Sequence, residues 1–317
     1  MQNRVFKSIS LDARASGADM DFVSHAHSDH IAAARSSRAI VCSNQTAELI
    51  NVAYGISPNL VEAVPQNVRL LDSGHMLGSK QLLIDCGFDS NSVLYSGDFQ
   101  MMESAAASRI QIRNADILII DSTYPDPALN FDSKDVIEDM LLKWVSRALK
   151  EGIVLFKAYA MGKAQELIRI LNRESIIPVV SRKISAINSV YVRNGIGLEY
   201  ASYYDIDSDY ESLVRGNFVG ITDSQRFYDI AGVMEHAYKK RVYTAVATGF
   251  AKSFRFRSDA QFALSDHADF RQSCEYIDAV SPKKVYTYGQ NRELFAANLS
   301  SHGYKAEPYQ KKAIDAV

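Results

Sequence analysis

Three of the seven histidines lie within six residues, in the run H-A-H-S-D-H at residues 25–30. The run follows residues 21–24, whose composition predicts a short strand. Alternate residues leaving a strand point the same way, so His25 and His27 can bind one metal ion, and the following turn can present Asp29 and His30 to a second. Imidazole and carboxylate ligands suit zinc, with manganese or iron as alternatives. The run therefore predicts a metal site at a strand end.

Two later residues can complete the coordination of such a metal. His75 lies in S-G-H-M-L-G-S (73–79) between two predicted strands, and Asp98 lies in Y-S-G-D-F (95–99) at a strand end. Either residue alone is typical of an ordinary loop histidine or a turn aspartate. After the histidine run and in this order, both become metal ligands in our interpretation.

The surrounding pattern predicts two kinds of structure. Up to about residue 125, short β-type runs alternate with turn residues, and apolar spacing predicts a helix over 133–150. From residue 153 a strand, a helix over 163–173 and another strand follow one another, and this alternation continues to about residue 247. Such alternation indicates a parallel α/β unit. After residue 250 the pattern predicts a helix over 270–280 and a strand over 284–288.

Composition excludes several classes of protein. The chain has 317 residues, 47% hydrophobic and 23% charged, as in ordinary globular proteins. No apolar run reaches the roughly 18 residues of a membrane span, and the start has no secretory pattern, so we expect a cytoplasmic protein without a membrane partner. Cys42, Cys86 and Cys274 predict neither a disulfide framework nor a cysteine zinc site. The net charge of −2 leaves no overall cationic field, so a nucleic-acid groove would be local.

The ligand motifs, in this order, resemble those of the metallo-β-lactamase superfamily. That resemblance implies two metal sites that share one carboxylate. The first would consist of His25, His27, His75 and Asp98, and the second of Asp29, His30 and the bridging Asp98.

The second half of the chain resembles the β-CASP nucleases, a branch of that superfamily that cuts DNA or RNA. The resemblance rests on I-D-S-T-Y (120–124), K-A-Y-A-M-G-K-A-Q-E-L (157–167), A-T-G-F (247–250) and L-S-D-H-A-D-F (264–270). It implies an α/β protein in which an αββα metallo-β-lactamase sandwich, residues 1–152 and 247–317, carries a small α/β insertion, the β-CASP domain of residues 153–246.

The same resemblance implies roles in phosphodiester hydrolysis. Asp29 would orient the attacking hydroxide, His267 would protonate the leaving oxygen, and Asp121 would orient His267. A surface histidine and a turn-capping aspartate are the alternatives for the last two. Further residues are expected to hold substrate phosphates: Ser79, Lys157, Lys163, Thr248, Lys252 and Arg255. Three aromatic residues, Tyr159, Phe250 and Phe254, either stack on bases or belong to the core.

One position departs from the family pattern. Where many β-CASP members end a strand in His-Gly, this chain reads V-Y-T-Y-G-Q (285–290), so Tyr288 occupies a ligand position. A neutral phenol is a poor zinc ligand, which predicts a weaker second metal. Asp121 together with Tyr288 resembles the Artemis-like DNA-repair members, whereas S-D-H-A-D and G-H-M-L-G-S resemble prokaryotic RNA 3′-end-processing or ligase-associated exonucleases.

The sequence thus predicts a metal-dependent nuclease, with DNA favoured as the substrate and exonucleolytic repair as the favoured role. An RNA-processing nuclease, a nucleic-acid-binding subunit of low activity, and a hydrolase of small esters or lactams are the alternatives. The motif at residues 285–290 motivates the binding subunit, and the otherwise complete ligand set disfavours it.

Overall fold

The computed structural model describes residues 8–13, 18–36, 38–85, 91–203, 213–310 and 313–315. The chain packs into two compact units, one formed by Met1–Asn130 with His267–Val317 and the other by Phe131–Asp266. Cys86 lies outside the described residues. Within them, no helix is long and apolar enough to cross a membrane. The predicted insertion, residues 153–246, falls inside the second unit, and its boundaries stay a prediction.

The described part of the chain up to residue 121 consists mainly of strands, whereas helices and strands mostly alternate after it. The strands are β1 (Ser8–Leu11), β2 (Met20–Phe22), β3 (Ile40–Val41), β4 (Val68–Asp72), β5 (Lys80–Ile84), β6 (Val93–Tyr95), β7 (Ile117–Asp121), β8 (Ile153–Lys157), β9 (Val179–Val180), β10 (Ala201–Ser202), β11 (Val219–Thr222), β12 (Val242–Ala247), β13 (Ala260–Phe262), β14 (Lys284–Tyr288), β15 (Ala306–Pro308) and β16 (Ala313–Asp315). The helices are α1 (Asn44–Tyr54), α2 (Lys134–Glu151), α3 (Lys163–Arg173), α4 (Arg182–Arg193), α5 (Phe227–Tyr238), α6 (Phe270–Val280) and α7 (Arg292–Ser301).

The first unit contains two sheets that share a core. Their strand orders are β16-β1-β2-β3 and β15-β14-β7-β6-β5-β4. Successive side chains of a strand point to opposite faces of its sheet. Ile119 therefore packs with Ile9 and Phe22 of the other sheet, whereas Leu118 and Ile120 pack against α6 and α7. Burial on both faces explains why β7 reads as a continuous apolar run.

The second unit has one six-stranded sheet with the order β10-β9-β11-β8-β12-β13. All of its described strand pairs are parallel. Parallel neighbours need crossover connections, which here include helices α3, α4 and α5. One core cluster joins Leu155 and Val246 of the sheet to Phe227 of α5. The alternation predicted from sequence is confirmed here, and both units confirm the α/β class.

Strand ends of the first unit set the positions of the predicted ligands. The histidine run begins three residues after the end of β2, and Asp98 follows the end of β6 by three residues. Asp121 is the last residue of β7, which is parallel to β6. Because parallel strands present their carboxyl ends at one edge, Asp98 and Asp121 lie at the same edge of the sheet.

Candidate metal centre

Four predicted ligands of the first metal lie together, all within the first unit. Their donor atoms approach within 4.8 Å of one another. His25 Nε2 and His75 Nε2 lie 3.0 and 3.2 Å from His27 Nδ1. Asp98 Oδ2 lies 3.4 Å from His25 Nε2 and 3.8 Å from His75 Nε2. These residues lie on three separate segments of the sequence, and the fold brings them together.

This donor set fits a zinc ion. Ligands bonded at about 2.0–2.1 Å to one tetrahedral ion lie roughly 3.3 Å apart, close to the measured separations. Burial lowers the pKa of His25, with the neighbouring His30 and His75 adding to the effect. A lowered pKa keeps the imidazole neutral, which is the form that binds a metal.

Glycines immediately precede two of these ligands and permit their close packing. Gly74 has φ +80°, and a Cβ there would lie 2.3 Å from the carbonyl oxygen of Gln100. Gly97 has φ +54°, and a Cβ there would lie 2.8 Å from Cβ of Ser24, just before the histidine run. Any larger residue would push apart the segments that carry His75 and Asp98.

Asp12 organises the histidine run, and sequence reasoning missed it. This buried aspartate, 4% exposed, follows β1 directly. Its Oδ2 lies 2.8 Å from His30 Nδ1 and accepts hydrogen bonds from Tyr95 and Ser24 at 2.8 and 2.6 Å. Ser24 Oγ in turn lies 2.9 Å from His25 Nδ1. An acidic residue at a strand end was the available signal, but nothing in the sequence linked it to residues far along the chain.

The predicted ligands of the second metal are less tightly assembled. His30 Nε2 lies 3.6 Å from Asp29 Oδ2 and 3.4 Å from Asp98 Oδ2. The Asp29 side chain is 79% exposed. Although burial opposes its charge, the carboxylates of Asp98 and Asp12 raise the pKa of His30 to about 10. Burial raises the pKa of Asp98 to about 7, against the opposing effect of His30. Without a metal, His30 therefore stays protonated at neutral pH, and Asp98 gives up its proton only near neutral pH.

A histidine–aspartate pair lies beside this cluster, as the sequence predicted. His267 Nδ1 lies 3.0 Å from Asp121 Oδ2, and His267 Nε2 lies 3.9 Å from Asp98 Oδ2. The other oxygen of Asp121 accepts hydrogen bonds from the amide and hydroxyl of Thr123 at 3.0 and 2.8 Å. These bonds leave Asp121 little freedom to rotate. Nδ1 of His267 is thereby held, and Nε2 faces Asp98.

The start of α6 fixes the backbone around His267. The amide of Ala268 donates to the carbonyl of Phe99 at 2.9 Å, and the carbonyl of His267 accepts from the Gln100 side chain at 2.9 Å. Asp269 then caps α6 in a reciprocal capping box with Gln272. The helix begins where it does because this box satisfies its first amide groups.

Tyr288 ends β14 and makes a hydrogen bond of its own. Its hydroxyl donates to the carbonyl oxygen of Leu11 at 2.9 Å. The ring lies against Tyr95 and Tyr309, with centroids at 5.3 and 6.3 Å. Burial raises the pKa of the phenol, so its hydroxyl stays protonated. A protonated phenol is a weak ligand for zinc.

Three of the six predicted phosphate-binding residues are buried. Ser79 is 3% exposed, and its hydroxyl bonds to the backbone of Met76. Thr248 is 6% exposed and caps a short 3₁₀ turn. Lys163 is 1% exposed, and its Nζ lies 2.9 Å from Asp266 Oδ1 within the second unit. In this arrangement their polar groups hold the fold together.

The other three predicted phosphate-binding residues are accessible on the second unit. Lys252 and Arg255 are exposed, and Lys157 is half-buried. The aromatic residues for which base stacking and core packing were both open are also exposed, with Tyr159 at 58%, Phe250 at 37% and Phe254 at 62%. The alternative that these three rings belong to the core is thus wrong.

Comparison with known proteins relates the chain to nucleases and DNA ligases. It is 29% identical over 304 residues to a probable DNA ligase of Opitutus terrae, covering 90% of this chain and 28% of the relative. It is 27% identical to an RNase J-like protein of Methanocaldococcus jannaschii, covering 49% and 43% respectively. With the 5′ exonuclease Apollo of Gallus gallus the identity is 32%, covering 49% and 36%.

The chain thus spans less than half the length of each of these relatives. No protein-family model matches it. Two of these relatives carry nuclease names, an RNase J-like protein and a 5′ exonuclease, in line with the nuclease resemblance of the motifs. These similarities are consistent with the β-CASP nuclease branch of the metallo-β-lactamase superfamily, which the motifs of this chain resemble.

Proposed function

We propose that this protein is a metal-dependent nuclease that hydrolyses phosphodiester bonds, with DNA as the favoured substrate and repair as the favoured role. One observation carries the proposal. Asp98 belongs both to the four-donor cluster and to the cluster with Asp121 and His267. A site for a metal and a group able to donate a proton therefore lie side by side, as hydrolysis of a phosphodiester requires.

Zinc is the proposed metal, held by His25, His27, His75 and Asp98, with manganese as an alternative. When bound there, zinc would polarise a phosphoryl oxygen and lower the pKa of a coordinated water. A second metal, held by Asp29, His30 and the shared Asp98, would bind more weakly because Tyr288 replaces a ligand.

The proposed roles of the other residues follow from their contacts. His267 donates a proton from Nε2 to the leaving oxygen, while Nδ1 is held by Asp121 at 3.0 Å. The Asp121 carboxylate stabilises the imidazolium and fixes its orientation. Asp29 accepts a hydrogen bond from the attacking water in this proposal, and its exposed carboxylate supports that role.

DNA is favoured over RNA by two independent features. One is the occurrence of Asp121 together with Tyr288, the combination that resembles the Artemis-like DNA-repair members. The other is the similarity to a probable DNA ligase over 90% of this chain. The RNase J-like relative supports RNA as the alternative substrate.

The proposed domain arrangement follows the motif order. Residues 1–152 and 247–317 form the metallo-β-lactamase scaffold, and residues 153–246 form the insertion. Lys157, Lys252 and Arg255 contribute phosphate contacts, since their ammonium and guanidinium groups are accessible.

A matched cleavage assay tests the proposal. One end-labelled sequence is prepared as single-stranded DNA and RNA, each with a 5′-phosphate or a 5′-hydroxyl, and incubated with zinc or manganese. We expect DNA cleavage that the His267→Ala variant loses. RNA cleavage alone would assign the protein to the RNA-processing branch. Tight binding without cleavage under any of these conditions would contradict the nuclease proposal and favour a binding subunit.

A further inference from the structure

A short loop of the second unit presents aromatic rings to solvent. This loop, residues 249–258, begins with the 3₁₀ turn Gly249–Lys252 and is called the aromatic loop below. Phe250 and Phe254 lie on its surface, 37% and 62% exposed, with ring centroids 6.2 Å apart. Exposing two neighbouring phenylalanines costs free energy that burial would recover. Such a pair indicates a surface that is covered when a ligand binds.

Three cationic side chains alternate with these rings. Lys252, Arg255 and Arg257 are all exposed. Lys252 lies 3.0 Å from Asp132, but both side chains are well exposed, so the ion pair is weak and exchangeable. Among the residues that the structure describes, neither arginine has a salt-bridge partner. The loop therefore combines apolar rings with available positive charge.

The aromatic loop is held in shape by Gln261 of β13. The Gln261 amide donates to the carbonyls of Ala251 and Phe254 at 2.6 and 2.9 Å, and its oxygen accepts from the amide of Phe256 at 2.9 Å. A cleft of about 450 Å³ is lined by residues of this loop and the start of β13. Since these bonds fix the backbone before any ligand arrives, binding loses little further conformational entropy.

From these observations we propose that the aromatic loop binds unpaired nucleotides, with bases stacked on Phe250 and Phe254 and phosphates held by Lys252, Arg255 and Arg257. The inference rests on the proposed function, because it takes the substrate to be a nucleic acid. Bases inside a duplex are stacked on each other, so only unpaired ones can meet these rings. An apolar protein partner fits less well, since it would bury the cations without compensation.

Binding of a phosphorothioate oligonucleotide, which resists cleavage, tests the proposal in the metal-loaded protein. Fluorescence anisotropy compares the single strand with a duplex of the same sequence. We expect the wild-type protein to prefer the single strand. Phe250→Ala and Phe254→Ala should each weaken single-strand binding about 5- to 150-fold, the range for loss of one stacked base. Phe254→Trp should retain affinity, whereas Phe254→Leu, which keeps apolar volume without a π face, should lose it.

The salt dependence of binding tests the cations separately. Arg255→Ala and Arg257→Ala should each lower the slope of log affinity against log salt by about 0.7, the value for one phosphate contact on a single strand. Arg147→Ala is the matched control, because Arg147 is an exposed arginine on α2 of the same unit. It should leave the slope unchanged.

Equal single-strand affinity in all three Phe254 variants, or a wild-type preference for duplex, would overturn the proposal. Turnover of a chromogenic phosphodiester by the wild-type protein separates this inference from the proposed function. Turnover together with Phe-independent binding rejects the aromatic loop alone. Phe-dependent binding without metal-dependent turnover of any phosphodiester rejects the nuclease alone.

Discussion

The two predicted metal positions differ in how the chain builds them. The first draws its ligands from three separated segments, and His25 and His75 are almost fully buried, at 0% and 2% exposed. The second draws Asp29 and His30 from one turn and borrows Asp98 from the first. Asp29 is 79% exposed, and the donors do not form one of the described clusters within 4.8 Å. The first site is preformed because its ligands are anchored in the core. The second site has only two ligands on one turn and needs a residue from elsewhere to complete it.

The hydrogen bonds behind the ligands show the same contrast. Asp12 reaches His30 directly and His25 through Ser24, so one buried carboxylate serves both positions. The first position has the additional support of Gly74 and Gly97, which let its segments approach. A metal at the first position therefore meets a site that is already shaped, and we expect it to bind more tightly.

The largest expected effect comes from removing Asp98, the residue that both positions share. Asp98→Ala should reduce hydrolysis of a chromogenic phosphodiester by about 10³-fold or more, beyond the 10- to 100-fold typical of a ligand's hydrogen-bond partner. Zinc content measured by atomic absorption should fall with it. Asp29→Ala is the comparison from the second position and should retain the first zinc ion. Undiminished activity in Asp98→Ala with folding retained would refute the proposed site.

His267→Ala should separate proton donation from metal binding. General acids contribute about 10²- to 10⁴-fold, so kcat should fall by that range. Zinc content should not change, because the four donors of the first position remain. Asp121→Asn should give a smaller loss, since the imidazole stays in place. A loss of zinc in His267→Ala would instead make this histidine a ligand.

Much of this site could be predicted because its signals are local. Each ligand lies in a short motif that can be recognised alone: the run at 25–30, the loop at 73–79 and the strand end before Asp98. The order of these motifs along the chain then indicated that they form one site. Helix α3 and strand β14 agree with the prediction at both ends, since their apolar spacing is regular. Local periodicity thus predicted these elements, and short motifs predicted the candidate ligands.

Features that depend on distant packing were missed. The prediction omitted β1, which gains its burial from pairing with β2 and β16. It also omitted α1 and α7, each of which buries only three residues in ten or eleven, so periodicity is weak. Lys163 illustrates the same limit, since a lysine after a glycine turn resembles a phosphate-binding residue until its burial against Asp266 is known.

Asp12 offers a finer test of the second position. Asp12→Asn removes the charge opposite His30 Nδ1 and should weaken the second metal about 10- to 100-fold, as for other hydrogen-bond partners of metal ligands. Asp21→Asn is the matched control, because Asp21 is an equally buried aspartate of the same sheet that bonds Ser10 and Arg38 rather than a ligand. Calorimetric titration with zinc measures both. Equal losses in the two variants would indicate general damage to the sheet.

The pH dependence of stability should distinguish the metal-free protein from the zinc-bound one. Asp98 keeps its proton to about pH 7, whereas an unfolded aspartate loses it near 3.8. His30 keeps its proton to about pH 10, against 6.5 when unfolded. The folded chain therefore binds more protons than the unfolded chain between about pH 3.8 and 7 through Asp98, and between about pH 6.5 and 10 through His30. Its stability falls as pH rises through both ranges. Zinc needs deprotonated ligands, so bound zinc should stabilise the protein increasingly over the same range.

Thermal unfolding with chelator and with zinc, at several pH values, measures this difference. Asp98→Asn has no carboxyl proton to lose, so its metal-free stability should fall less between about pH 4 and 7 than that of the wild type. An identical slope in the two proteins would show that Asp98 does not hold the excess proton.

The smallest expected effect is a gain. Tyr288→His places an imidazole at the end of β14, opposite Asp121 in the parallel register. It should strengthen binding of the second zinc by about tenfold, or about 1.4 kcal/mol. Tyr288→Phe is the control, since it removes only the hydroxyl that donates to Leu11. If both variants bind the second zinc alike, completing the ligand set is not what limits it, and the contrast between the two positions lies in the exposure of Asp29 instead.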